Sequence, residues 1–282
     1  MSNALPTGIR RSLDRLRTSN VPVPVSEVAQ RLLALDRPVA APLARRIVGA
    51  ALGHPPEGLP EALDAAHLRP AEETAVAAVP LARAEFTVVD LETTGLSSQG
   101  DSVIEVGAVR VSRLEAVESF ETLVRPPGPG PLSRAITDLT GIDDAMLAEA
   151  PPARQALTAF RAWLDRTPHA PFVAHNAAFD VRFTRRALEI HGLRPLGVPV
   201  LCTQKLSRRL LPRLGRYNLD HLCAHFGISN RARHRALGDA EVTARALIEL
   251  LRGALEGGEI RTLGDLLDLQ ARPLRRRRAR RR

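Results

Sequence analysis

Residues 86–95 have the sequence FTVVDLETTG, and this short segment decides the fold. Its first half is a nearly continuous apolar run, which is typical of a strand buried at the centre of a sheet. Two carboxylates, Asp90 and Glu92, interrupt the end of that run. Side chains two residues apart on a strand project to the same face, so these two would repel each other unless a cation neutralised them. Oxygen ligands at high charge density suit Mg²⁺ or Mn²⁺, although a solvent-exposed pair at a strand end would need no metal.

The sequence on either side of this segment predicts an α/β domain. Strand-like runs at residues 102–111 and 116–124 are joined by short links and predict an antiparallel meander with the first strand. Helical and strand patterns then alternate, which favours a mixed sheet with helices on both faces. Residues 1–84 show short helical patterns broken by proline. They are compatible with a helix-turn-helix, but an accessory helical packing segment is favoured because no clear basic face is present.

Two further carboxylates stand at the start of predicted helices. Asp180 ends the segment HNAAFD directly after a predicted strand, and Asp239 stands five residues after His234 in HRALGD. The helix dipole favours an acid in the first turn, so each aspartate is also compatible with a capping function alone. A single histidine on a loop is equally compatible with a structural or solvent-exposed position. Together, however, these residues lie at the ends of predicted core elements, where a shared site would form.

The three motifs in this order, DLETTG, HNAAFD and H-x4-D, resemble those of the DEDDh (DnaQ-like) 3′–5′ exonucleases. Among these, the proofreading epsilon subunits of bacterial DNA polymerase III are the most similar. The resemblance covers residues 85–252 and includes EVGAV at 105–109 and RYNLDHLCAHFGI at 216–228. It implies an RNase H-like fold with a mixed five-stranded sheet and helices on both faces. The chain departs from the family at Cys202, where many relatives carry aspartate, but that position holds no metal in the family.

The resemblance also implies the chemistry of the site. Asp90, Glu92, Asp180 and Asp239 correspond to the family's metal-binding tetrad, which holds two divalent ions, Mg²⁺ or Mn²⁺. His234 corresponds to the general base, so all five residues are expected to be catalytic. Residues that hold the terminal nucleotide are expected to be Thr93, Thr94, Gly95, Leu96, His175, Asn176 and Phe179.

The function that this resemblance implies is a metal-dependent 3′–5′ exonuclease that releases 5′-nucleoside monophosphates from single-stranded or frayed DNA ends in proofreading or repair. A 3′–5′ exoribonuclease of the same superfamily and a non-catalytic nucleic-acid- or polymerase-binding module are the alternatives. The intact tetrad argues against the binding module, because binding alone does not require His234. The expected partners are nucleic acid, with DNA favoured over RNA, and a DNA polymerase subunit.

Composition sets limits on the remaining possibilities. The 282 residues are 44% hydrophobic and 25% charged, which excludes wholesale disorder and a coiled-coil rod. No apolar run approaches the roughly 18 residues of a membrane helix, and the N-terminus lacks a secretory signal, so no membrane partner and a cytoplasmic location are expected. The net charge is +9, and residues 272–282 contain eight arginines. The expected division is a helical accessory region (1–84), an exonuclease domain (85–255), a C-terminal helical extension (256–271) and a disordered arginine-rich tail (272–282).

Overall fold

A computed structural model describes residues 12, 13, 15, 16, 21–37, 39–64, 67, 68, 75–128, 130–230 and 232–273. The chain divides into two compact units. The larger unit is Leu81–Arg261, and the smaller unit combines Met1–Pro80 with Thr262–Arg282. The arginine-rich tail lies, from residue 274 onward, outside the described residues.

The smaller unit begins with two short helices and a two-stranded ribbon. Its elements are β1 (Val23–Pro24), α1 (Val25–Leu32), α2 (Ala41–Leu52) and β2 (Ala62–Leu63). The two strands pair antiparallel, and buried leucines and valines of both helices share one apolar core. The sequence predicts the helices but not the strands, because two residues are too few to show an alternating pattern.

The larger unit is built on a five-stranded sheet. Its strands are β3 (Glu85–Thr93), β4 (Val103–Ser112), β5 (Glu115–Leu123), β6 (Phe172–Ala174) and β7 (Val200–Cys202). The strand order is β5-β4-β3-β6-β7, with β3 at the centre. The pairs β3–β4 and β4–β5 are antiparallel, whereas β6 pairs in parallel with both β3 and β7. The predicted meander and the predicted mixed five-stranded sheet are therefore confirmed.

Helices cover both faces of this sheet. They are α3 (Arg134–Thr140), α4 (Asp144–Glu149), α5 (Ala153–Asp165), α6 (Ala178–Ile190), α7 (Thr203–Leu210), α8 (Leu219–His225) and α9 (Ala236–Glu256). On one face, Val89 and Leu91 of β3 pack with α5 and α6 in a core that includes Phe160 and Phe183. The alternate residues of β3 face α9, which packs against β3 and β4.

The last described helix, α10 (Leu263–Ala271), belongs to the smaller unit. Its start is fixed by a capping box in which Thr262 and Asp265 each accept a hydrogen bond from the other's backbone N–H, at 3.1 and 2.9 Å. The Leu263 N–H also donates to the Val79 carbonyl at 3.0 Å. Among the described helices, no stretch is both long and apolar enough to cross a membrane.

A close approach between β4 and α9 positions the start of that helix. A Cβ built on Gly107 would lie 2.1 Å from the Ala236 carbonyl carbon and 2.2 Å from the Leu237 nitrogen. Gly107 is also the register partner of Asp90 on β3. Glycine at this position therefore lets the first turn of α9 reach the sheet beside the Asp90 carboxylate.

We expect Gly107→Ala to destabilise the protein by about 1–3 kcal/mol, because the added methyl group meets backbone atoms that have no room to move. The matched control is Gly253→Ala in α9, where no atom lies within 4 Å of the built Cβ. That control should instead stabilise the protein by about 0.5–1 kcal/mol, the usual gain for alanine in a helix interior. Urea unfolding of both variants measures the difference, and equal stabilities would contradict the close approach.

Candidate active site

Three carboxylates converge where β3 meets the first turn of α9. Asp90, Glu92 and Asp239 each offer a carboxylate oxygen, and these oxygens all lie within 4.8 Å of one another. Asp90 and Glu92 share the face of β3 that meets α9, because they alternate with the apolar residues of the opposite face. Clustered hard oxygen donors of this kind fit a divalent cation.

Asp180, the fourth predicted carboxylate, lies beside this cluster. It occupies the first turn of α6 and is 3% exposed. Its carboxylate interacts with the backbone N–H groups of Asp180 itself and of Leu91 on β3. Among neighbouring charges, that of Asp180 contributes most to raising the pKa of Asp90. The structure thus places Asp90, Glu92 and Asp239 in one set of three and puts Asp180 at its border.

Burial and mutual repulsion raise the pKa of Asp90, Glu92 and Asp180. Burial, followed by the charges of Asp180 and Asp239, raises the pKa of Asp90 well above its usual range. Burial is also the largest cause for Glu92, whose pKa rises to about 7, and for Asp180, whose pKa rises to about 8. These groups therefore retain protons near neutral pH unless positive charge is supplied, which is the electrostatic signature of a cation site.

The loop before α9 ties His234 to Asp239. The His234 N–H donates to Asp239 Oδ2 at 3.1 Å, and Asn230 Nδ2 donates to Asp239 Oδ1 at 2.6 Å. His234 has a φ of 58°, in the left-handed region that few residues other than glycine adopt. A strained backbone of this kind persists only where surrounding contacts hold it, and it is common at functional sites. The backbone of the half-buried His234 is thereby held next to Asp239.

The end of β3 and the loop that follows it contain four of the residues predicted to bind substrate. Asp101 organises this loop by accepting hydrogen bonds from Ser97 N–H at 2.8 Å and from the Thr94 hydroxyl at 3.3 Å. The Asp101 carboxylate would lie 2.6 Å from a Cβ on Gly95. The φ of Gly95 is not positive, and any larger residue at this position would have to displace the Asp101 carboxylate. Leu96, at 81% exposed, projects into solvent from the same loop.

The other three predicted substrate-binding residues follow β6. The buried side of His175 faces Thr203, with 2.9 Å between Nδ1 and Oγ1, and burial lowers the pKa of His175 to about 4. Asn176 is exposed and has a φ of 62°, whereas Phe179 packs on Phe183 with ring centroids 4.7 Å apart. Contact with a substrate stays a prediction for all three, and Asn176 is the most accessible of them.

Two charged residues of the site were not predicted as functional. Glu105 on β4 is fully buried and is the register partner of Glu92, and Arg235 bonds to it from the loop before α9. A carboxylate inside the apolar run SVIEVGAVRV is the same signal that identified Asp90, and it could have identified Glu105. Arg235 had no comparable signal, because its partner lies 130 residues away.

Comparison with known proteins places this geometry among nucleases. The model of the exonuclease family (RNase_T) matches residues 87–247. The chain is 37% identical over 203 residues to the PolC-type DNA polymerase III of Bacillus cereus, a match that covers 72% of this chain and 13% of that protein. It is 42% identical over 174 residues to the protein of the same name from Caldanaerobacter subterraneus subsp. tengcongensis, and this match covers 62% of this chain and 12% of that protein. The chain thus spans about an eighth of the length of these relatives.

Solved structures of similar fold are also nucleases. E. coli exonuclease I in complex with a dT13 oligonucleotide superimposes with a TM-score of 0.54 at 17% identity, over 62% of this chain and 43% of that chain. The nuclease domain of 3′hExo, a DEDDh family member bound to rAMP, superimposes with a TM-score of 0.53 at 18% identity, over 60% of this chain and 92% of that chain. At these identities the likeness shows a shared fold.

We expect the metal-free protein to lose stability as the pH rises from about 4 to 8. An acid whose pKa is raised in the folded state binds its proton more tightly there, so its contribution to stability is full below its ordinary pKa. That contribution is lost as the pH passes through about 7 for Glu92 and about 8 for Asp180. Melting temperatures in a chelator at several pH values measure the loss.

The same mechanism predicts the effect of removing one charge. At pH 8 in a chelator, Asp180→Asn should melt several degrees higher than the wild type, because about 2–4 °C corresponds to 1 kcal/mol in a protein of this size. The control is Glu115→Gln, at an exposed position on β5, which should leave the melting temperature unchanged. A wild-type melting temperature that is constant or rises over this pH range would contradict the repulsion.

Proposed function

The chain belongs to the exonuclease family, and from that premise we propose that it removes nucleotides from the 3′ end of DNA as 5′-nucleoside monophosphates. Membership of the DEDDh exonucleases, predicted from the three motifs, is confirmed. The observation that carries the proposal is the convergence of Asp90, Glu92 and Asp239, with their ligand oxygens within 4.8 Å of one another. An intact cluster of acids at this place is needed for hydrolysis, whereas a binding module would gain nothing from its repulsion.

We propose that the four carboxylates hold two divalent ions, Mg²⁺ or Mn²⁺. The charges of Asp180, Asp239 and Glu92 all act on Asp90, so we propose that Asp90 serves both ions. Bound ions would lower the pKa of the attacking water and neutralise the charge that develops at the scissile phosphate. The protein's own contribution is to hold the carboxylates in fixed positions, through the strand geometry of β3 and the first turns of α6 and α9.

His234 is the proposed general base. Its left-handed backbone and its N–H bond to Asp239 hold the imidazole at the border of the cluster. An imidazole nitrogen there would take the proton of the attacking water, a task that suits the ordinary pKa of histidine near 6.5. The buried His175 is unsuited to this task, because its pKa of about 4 makes it too weak a base.

The substrate end is proposed to lie over the loop after β3. Leu96 is exposed there and would wedge against the terminal base, while Thr93, Thr94 and Gly95 present backbone groups to the sugar. DNA is the proposed substrate because the similar sequences belong to DNA polymerase III proteins. A DNA polymerase is the proposed partner for the same reason. In the bacteria that carry these relatives DNA lies in the cytoplasm, so the proposed substrate also implies that location.

An assay on end-labelled strands tests the proposal. With a 5′-labelled DNA oligonucleotide, Mg²⁺ or Mn²⁺ should give a ladder of products that shortens from the 3′ end, and a chelator should abolish it. Asp90→Asn should lower kcat by at least about 10³-fold, because a displaced ligand removes charge stabilisation that the transition state requires. Hydrolysis that is undiminished in a chelator, or release of nucleotides from the 5′ end, would refute the proposal. Matched RNA strands distinguish the exoribonuclease alternative.

A second assay separates His234 from the metal ligands. We expect His234→Ala to lower kcat by about 10²–10⁴-fold, the usual contribution of a general base, with little change in the metal concentration required. His169→Ala is the control, because His169 is exposed and follows α5, away from the carboxylates. A normal kcat at saturating metal, combined with weakened metal binding, would show that His234 is a ligand or a structural residue instead.

A further inference from the structure

An ion pair with a buried carboxylate borders the carboxylate cluster without belonging to it. Glu105 is fully buried on β4, and Arg235 bonds to it in a forked arrangement. Arg235 Nε lies 3.0 and 3.2 Å from the two Glu105 oxygens, and a terminal guanidinium nitrogen lies 2.5 Å from one of them. Two-point contact between a planar guanidinium and a carboxylate fixes orientation as well as distance.

The same carboxylate also holds the start of α9. Glu105 Oε2 accepts a hydrogen bond from the Ala236 N–H at 2.8 Å, so its negative charge sits at the positive end of the helix. Arg235 immediately follows His234, and Asp239 lies three residues beyond Ala236. The bonds of Glu105 therefore act on the short segment whose two ends carry the proposed base and one proposed ligand.

The charges of the pair act on the cluster in opposite directions. Glu105 is the register partner of Glu92, so its negative charge lies beside the cluster and adds to the attraction for a cation, whereas the Arg235 guanidinium bonded to it opposes that attraction. Because the two charges are paired, their effects on a bound cation largely cancel. Removing either charge would leave the effect of the other, although Arg235 also lies 3.6 Å from Glu121.

We propose that Glu105 and Arg235 are a positioning pair that holds His234 and Asp239 at the carboxylate cluster and, through opposite charges, sets the affinity of the cluster for divalent cations. The proposal rests on the proposed function, since it takes the cluster to be a cation site. It predicts a result that a merely structural ion pair would not produce. Loss of either member should slow catalysis, but the two losses should change metal affinity with opposite signs.

Calorimetric titration of Mn²⁺ into the nucleotide-free protein tests whether the two variants change the metal affinity in opposite directions. Glu105→Gln removes a negative charge from beside the cluster and should weaken Mn²⁺ binding by about tenfold, while Arg235 keeps its 3.6 Å contact with Glu121. Arg235→Gln removes a positive charge and should tighten Mn²⁺ binding by a similar factor. The double variant should bind Mn²⁺ within about threefold of the wild type. The proposal would be overturned if Mn²⁺ affinity changed in the same direction in both single variants, or if it changed in neither of them.

Positioning is tested separately by a conservative variant. Arg235→Lys keeps the positive charge but loses the fork, so Mn²⁺ affinity should stay within about threefold of wild type while kcat for hydrolysis falls by about tenfold or more. This variant also serves if Arg235→Gln does not fold. Unchanged kcat in Arg235→Lys would overturn the positioning part of the proposal.

A second buried pair provides the matched control. Arg110 and Glu118 form an ion pair between β4 and β5 that is remote in register from Asp90 and Glu92. Glu118→Gln should lower the melting temperature without changing Mn²⁺ affinity. If the wild type itself binds no Mn²⁺, the proposed function fails and the pair proposal fails with it. If the wild type binds Mn²⁺ and the single variants do not differ from it, the pair proposal alone fails.

Discussion

Repulsion among carboxylates in a partly buried volume is the constraint on which the rest of the larger unit depends. Asp90, Glu92 and Asp239 approach within 4.8 Å, and Asp180 adds a fourth acid at their border. Such a cluster opposes folding in the absence of a cation, so neighbouring groups have to offset the repulsion between the carboxylates. These groups are backbone N–H donors, the side-chain amide of Asn230 and the guanidinium of Arg235, and they come from parts of the chain that are far apart in sequence. The apolar core on the opposite face of β3, built with α5 and α6, stabilises the strand that carries two of these acids.

Each of these contacts also fixes the position of the segment that carries the carboxylate. Asp180 interacts with the Leu91 N–H of β3, so the first turn of α6 is held against the strand that carries Asp90 and Glu92. Asp239 accepts from the His234 N–H and from Asn230, so the loop before α9 is held in a conformation that the histidine backbone would not adopt alone. Gly107 has no side chain, so α9 can approach the sheet at this position. The hydrogen-bond donors that stabilise these carboxylates are therefore also the groups that fix the orientation of the segments that carry the proposed site residues.

Much of this could be predicted from the sequence, and the missing part has a common physical cause. The acids on β3 and the acids in helix first turns interrupt local patterns, so Asp90, Glu92, Asp180 and Asp239 were visible as residues out of place. The strand-like runs predicted at residues 102–111 and 116–124 correspond to β4 and β5. Contacts between distant segments leave no local pattern, which is why Arg235 and its pairing with Glu105 were missed. The grouping of α10 with the N-terminal residues, through Leu263 and Val79, depends on such a contact as well.

The division of labour between regular elements and loops follows from what each group must do. A metal ligand has to stay in place against strong repulsion, and the four proposed ligands accordingly stand on a strand or in the first turn of a helix, where the backbone is rigid. The proposed general base has to gain and lose a proton in every turnover, so it needs contact with solvent, which the half-buried His234 has in the loop before α9. The N–H bond from His234 to Asp239 ties that loop to a proposed ligand. Through this bond a shift of the proposed ligand also shifts the backbone that carries the proposed base.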